Sequence, residues 1–143
     1  MSKSVNQPAT TFWIISVIAL LWNLAGVYAY LSQAYMSTEV IATLSEPEQM
    51  YYNNVAAWAT ASFATSVFAG TLGGLTLLFR KKIAYTLLFI SLIAVLIQAT
   101  YNFFIQEFMP VENVQMIWSL VIILIAVFLV WFSNNAKNKG ILS

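Results

Sequence analysis

The chain has 143 residues, 61% of them hydrophobic and 8% charged, with a mean hydropathy of +0.80, which is too apolar for a soluble domain and identifies a membrane protein. Cysteine, histidine and aspartate are missing, so thiol catalysis, disulfides, haem ligation, Fe–S clusters and the usual zinc sites have no candidates. A net charge of +1 gives no reason to expect nucleic acid. No catalytic residue, metal ligand or cofactor is assigned, and the chain is not expected to be an enzyme.

Residues 1–11 are polar, carry Lys3, and read as a tail outside the membrane. The first span is expected over residues 12–33. Its apolar run is too long and its basic region too weak for a secretory signal peptide. The following loop, residues 34–54, holds Glu39, Glu46 and Glu48 without a basic residue, and Ser45 with Glu48 fits a capping box that allows Pro47 in the first turn. A helix running unbroken from that box would be about 50 Å long at 1.5 Å per residue, against a hydrocarbon core of about 30 Å. Either a protruding turn or a bend at Asn53 and Asn54 absorbs the excess.

The second span, residues 55–79, is expected to be the inner helix, because small residues recur along it every fourth position. One row is Ala57, Ala61, Thr65, Ala69 and Gly73, and a second is Ser62, Ser66, Gly70 and Gly74. In lipid, such rows allow close backbone approach, and packing then replaces the missing hydrophobic drive. Ala61, Thr65, Ala69, Gly70, Gly73 and Gly74 are the expected packing residues. Arg80, Lys81 and Lys82 leave almost no room before the third span at 83–105, which predicts an antiparallel hairpin. A second acidic loop holds Glu107, Pro110 and Glu112. The fourth span, 114–132, is mostly Ile, Val and Leu, and Lys137, Lys139 and Gly140 signal its end.

In this arrangement all six cations, Lys3, Arg80, Lys81, Lys82, Lys137 and Lys139, fall on one side, and all five glutamates fall on the other. The positive-inside rule then places both termini in the cytoplasm and the acidic loops outside. The expectation is one domain: an all-α four-helix bundle of up-down topology in the cytoplasmic membrane, since outer membranes use barrels.

No span contains a charge, which argues against proton relays, voltage sensing and cation-drug exchange. What remains is uncharged. Asn23, Gly26, Tyr30 and Gln33 share a face of the first span, and Ser91, Gln98, Tyr101 and Asn102 share one on the third. Trp58, Ser62 and Thr65 lie at similar depth on the second. Together Asn23, Tyr30, Gln33, Trp58, Gln98, Tyr101 and Asn102 form a candidate polar pocket opening outward, rimmed by Glu46, Glu48 and Glu107. The competing reading gives the same side chains structural work: amides tie helices together at about 0.6 kcal/mol per contact, and Tyr and Trp anchor at the interface.

Trp22-Asn23-Leu24-Ala25-Gly26-Val27 with Ala29-Tyr30, Pro47-Glu48-Gln49, Ala57-Trp58, Gly70 with Gly73, Arg80-Lys81-Lys82 and Tyr101-Asn102 carry a resemblance over most of the chain. It resembles short bacterial four-span proteins that bear the automatically assigned name "sugar transporter". The Pro-Gln signature of three-span sugar half-transporters is missing. The resemblance implies a small neutral polar solute; because a four-helix bundle of this size leaves little room for a pathway, its passage is expected to need a homo-oligomer. A non-catalytic subunit of a larger membrane complex is the other expectation, with the apolar fourth span as its docking face.

Overall fold

The computed structural model describes residues 9–107 and 113–143; Lys3, Pro110 and Glu112 lie outside the described residues. Among them the protein is all helical: α1 Thr10–Ala34, α2 Thr38–Ala42, α3 Glu46–Asn54, α4 Ala57–Leu78, α5 Ile83–Thr100 and α6 Asn113–Asn138. A π-helical turn, Tyr101–Ile105, continues α5. Four helices are long and apolar enough to cross a membrane, and they fall on the four expected spans. Leu21, Leu24, Ile117, Leu120 and Leu124 are among many large apolar side chains left exposed, a surface suited to lipid rather than water.

The structure resolves the overlong second helix into two. Val55 and Ala56 are extended, with ψ of 135° and 142°, and they separate α3 from α4 one residue beyond the expected bend. The break is stabilised from outside: the Ala56 N–H, which loses its intrahelical partner at the start of α4, donates to the Tyr101 hydroxyl at 3.2 Å. At the start of α3 the capping box forms, with the Ser45 N–H and hydroxyl both donating to the Glu48 carboxylate at 3.1 and 2.9 Å.

Helix α4 packs against both α1 and α5 and is the most buried of the four. Glycine makes this possible at three levels. Gly74 lies so close to α1 that an added Cβ would sit 3.0 Å from the Leu20 Cα, Gly73 receives the Leu88 side chain of α5, and Gly70 sits against the Asn23 carboxamide. The row beginning at Ala57 behaves differently from expectation. Ala61 and Thr65 are exposed, Ala69 is half-buried, and only Gly73 reaches the interior. A strict four-residue step overshoots a helical turn by about 40°, so four steps carry a row about 160° around the axis. Such a row cannot stay on one face. Its upper members instead border a surface groove with Phe89, Ile90, Ile93 and Ile97 of α5.

The end of the bundle carrying Arg80, Lys81, Lys82, Lys137 and Lys139 is the basic end; the acidic end carries Glu39, Glu46, Glu48 and Glu107. A core of Phe12, Leu77, Ala84, Leu88, Leu129, Ala136 and Leu142 fills the basic half. Two helix ends there share one device. Gly140, at φ 76°, closes α6 with Ile141 N–H donating to Ala136 O at 2.9 Å, and Arg80, at φ 57°, closes α4 with Lys81 N–H donating to Thr76 O at 2.9 Å. After α6 the chain turns back over the α4–α5 hairpin. Ser143 N–H donates to Arg80 O at 2.9 Å, Lys82 N–H donates to Ser143 O at 3.0 Å, and the Arg80 Nε donates to Ile141 O at 3.1 Å. Leu142 is thereby buried beneath the hairpin, 1% exposed.

Candidate functional site

Above the Leu88 and Leu129 layer the four long helices separate around a cavity of about 270 Å³. Its walls are mostly apolar, with Trp22, Phe63, Val95, Trp118, Ile122 and Ile125 prominent. Four polar side chains interrupt them: Asn23 from α1, Ser66 from α4, and Ser91 and Gln98 from α5.

Three of these are engaged by neighbouring backbone. Asn23 is buried, and its Nδ2 donates to Ala19 O at 2.9 Å within α1. Its carboxamide oxygen faces Gly70, which brings α1 against α4. The Ser91 hydroxyl donates across the helix pair to Ser66 O at 2.6 Å, and the Ser66 hydroxyl donates to Phe63 O at 2.7 Å. These bonds satisfy groups that would be costly to leave unpaired in a dry interior. Gln98 differs, because its half-buried carboxamide has no hydrogen-bond partner among the described residues.

The sequence-derived pocket is thus divided. Asn23 and Gln98 share the cavity, but Trp58, Tyr101 and Asn102 belong to a separate cluster nearer the acidic end. There the Tyr51 hydroxyl donates to Asn102 Oδ1 at 2.7 Å, and the Tyr101 ring meets Trp58 edge-on at 5.3 Å. This cluster clamps the α3–α4 break onto the π-helical turn, whose defining bond is Gln106 N–H to Tyr101 O at 2.9 Å. Tyr30 packs edge-on against Phe63 and Phe68, with ring centroids 5.5 and 5.8 Å away. Neither Tyr30 nor Gln33 lines the cavity.

Comparison with protein-family models, with curated proteins and with solved structures finds no match to this chain. The site is therefore read from its own chemistry.

Electrostatically the cavity is neutral among the described residues, none of whose ionisable side chains lines it. Titration is perturbed outside the spans. Burial, with Tyr101 and then Tyr52 adding to it, pushes the Tyr51 phenol up to about 12. Burial also raises Tyr52, with Glu48 the second cause. Both remain neutral phenols at physiological pH.

Two cavity residues escaped sequence reasoning. Trp118 fits an interfacial belt equally well, and its meeting with Trp22, at 6.0 Å between ring centroids, joins helices far apart in the chain. Trp22 did carry a local signal, because an indole in mid-span beside Asn23 is too deep to be an interfacial anchor.

Proposed function

We propose that this protein binds a small uncharged molecule within the membrane, in the cavity between α1, α4, α5 and α6. The observation that carries the reading is the Gln98 carboxamide: a donor and acceptor pair without a hydrogen-bond partner among the described residues, facing a mostly apolar space. A half-buried amide turned toward apolar walls has hydrogen-bonding capacity that a ligand can satisfy. The cavity's size, just below the usual range of about 300–1,000 Å³ for ligand sites, suits a small ligand or part of a larger one. Its apolar walls with a few convergent polar groups match how such sites combine affinity with orientation. The packed layer beneath it, from Leu77 to Leu142, supports binding rather than open passage in this conformation.

Charge segregation supports the orientation assigned to the bundle: up-down crossings of the cytoplasmic membrane, both termini inside and the acidic end outside. The resemblance to proteins called "sugar transporter" adds the suggestion of hydroxylated ligands, and passage would call for a homo-oligomer. The test is native mass spectrometry of protein released gently from its membrane. A small-molecule adduct that survives in the native sequence and disappears in Gln98→Leu supports binding. An adduct-free protein, or one whose adduct persists unchanged in Gln98→Leu, removes the reading.

One observation favours a second reading, that of a non-catalytic subunit in a larger complex. The exposed small residues Ala61 and Thr65 border a groove against Ile90, Ile93 and Ile97, a surface that a further apolar helix can approach closely. The same spectra decide it, because a foreign subunit in stoichiometric amount supports docking, and monomers or homo-oligomers alone exclude it.

A further inference from the structure

The cavity has a mouth, and its position identifies the medium from which a ligand arrives. Ala25 and Ala29 of α1 line the cavity and yet are exposed, and Trp118 of α6 lines it while remaining 57% exposed. All three lie inside membrane-spanning helices, on the seam between α1 and α6. Described glutamates, Gln33, Trp58, Tyr101 and Asn102 take no part in the walls, so the described lining does not reach the polar loops of the acidic end. At the other end, Leu88 and Leu129 form a floor on the packed core. The seam itself is the loosest between neighbouring helices. α4 touches α1 at glycine distance, whereas α1 meets α6 through rings, Phe12 on Phe132 at 5.6 Å and Trp22 against Trp118.

We infer that the ligand enters sideways from the bilayer between α1 and α6, and that it is an uncharged amphiphile whose hydroxylated head reaches Gln98 while its apolar tail stays in the seam. This rests on the binding reading above and names its substrate class. The hydrogen-bond inventory selects the head group. The hydroxyls of Ser66 and Ser91 already donate to backbone carbonyls, so each retains mainly its capacity to accept. Gln98 offers both donors and an acceptor. Acceptors facing a dry space call for a ligand that donates, as an alcohol does. A phosphate or carboxylate head would be desolvated without any cation among the described lining residues to compensate it. The volume of about 270 Å³ accommodates such a head and the first part of a chain, and the remaining methylenes would lie along Ile122 and the exposed Trp118.

The probe is a monoacylglycerol with a brominated chain, which quenches tryptophan on contact. The full chain carrying Trp13→Phe, Trp58→Phe and Trp131→Phe is placed in phosphatidylcholine vesicles, so that emission reports Trp22 and Trp118. The expected result is saturable quenching well above that given by brominated phosphatidylcholine at equal mole fraction. Gln98→Leu weakens it about tenfold, the equivalent of one hydrogen bond, and Ala29→Phe, which fills the mouth without adding a tryptophan, abolishes it. A brominated fatty-acid anion quenches only in proportion to its mole fraction. If the monoacylglycerol behaves like bulk lipid while glycerol or a hexose in the buffer shifts the emission saturably, sideways access is overturned and the binding reading stands. If neither probe acts, both fall. Should the triple variant not fold, native mass spectrometry of the unaltered chain from the same vesicles reads the same question. A monoacylglycerol adduct lost in Gln98→Leu supports the proposal, and its absence overturns it.

Discussion

At Gly70 three helices meet through one missing side chain. A methyl group there would collide with the Asn23 carboxamide and stand 3.1 Å from the Ser91 hydroxyl. Asn23 cannot swing away freely, because it is buried and its amide nitrogen is bonded to Ala19 O. Gly70→Ala is therefore expected to destabilise the bundle by about 1–3 kcal/mol, the usual cost of overpacking a fitted interior. Asn23→Ala should relieve most of that cost, since it removes the colliding group. Thermal unfolding in mild detergent of the two single variants and the double variant forms a double-mutant cycle. Additive effects would show that Asn23 and Gly70 do not share this space. Ser16 offers the opposite case: it is fully buried on α1, and its hydroxyl finds no partner among the described residues.

The α3–α4 break and the π-helical turn on α5 are two irregular segments that stabilise each other. Tyr51 bonds Asn102, and Tyr101 bonds the Ala56 N–H, so each segment supplies what the other lacks. Tyr51→Phe should cost about 1 kcal/mol, one neutral hydrogen bond. It should also change the alkaline limb of stability. The folded phenol titrates at about 12 against an ordinary 10.0, so folding favours the neutral form. Its contribution is complete below pH 10 and is lost as pH rises toward 12. Unfolding midpoints measured across that window should fall more steeply in the native sequence than in Tyr51→Phe. The Ile141–Ser143 segment is a comparable device at the basic end. Leu142→Ala should lower stability by about 2–5 kcal/mol, as for other fully buried leucines, with the loss read as a drop in the unfolding midpoint. The sequence showed where these elements begin and end, through Ser45 with Glu48 and through Gly140, because capping is local chemistry. It did not show that Tyr101 and Asn102 serve the break rather than a pocket. That depends on partners 45 and 51 residues away in the chain.

For the whole molecule, span number and length were legible from hydropathy, since a bilayer imposes one dimension on every crossing segment. The cavity was legible only in part. Asn23 and Gln98 stand out as amides in apolar runs, but the walls around them follow from crossing geometry that no single helix encodes, and the wandering row at Ala61 and Thr65 shows how a simple repeat misleads. The proposed orientation rests on charge alone, and it gives a decisive prediction because the chain has no cysteine of its own. A single thiol can be placed at Asn53, exposed on α3 at the acidic end, or at Asn138, exposed at the end of α6. Neither side chain has a role in packing. With a membrane-impermeant maleimide applied to spheroplasts, Asn53→Cys should label at once, and Asn138→Cys only after the membrane is permeabilised. The opposite pattern would invert the bundle and set six cations against the positive-inside bias. Labelling of both thiols from outside would require an even number of crossings between α3 and the end of α6. That is incompatible with α4, α5 and α6 all spanning, because three crossings put the two thiols on opposite sides, so this single comparison tests the span count and the orientation together.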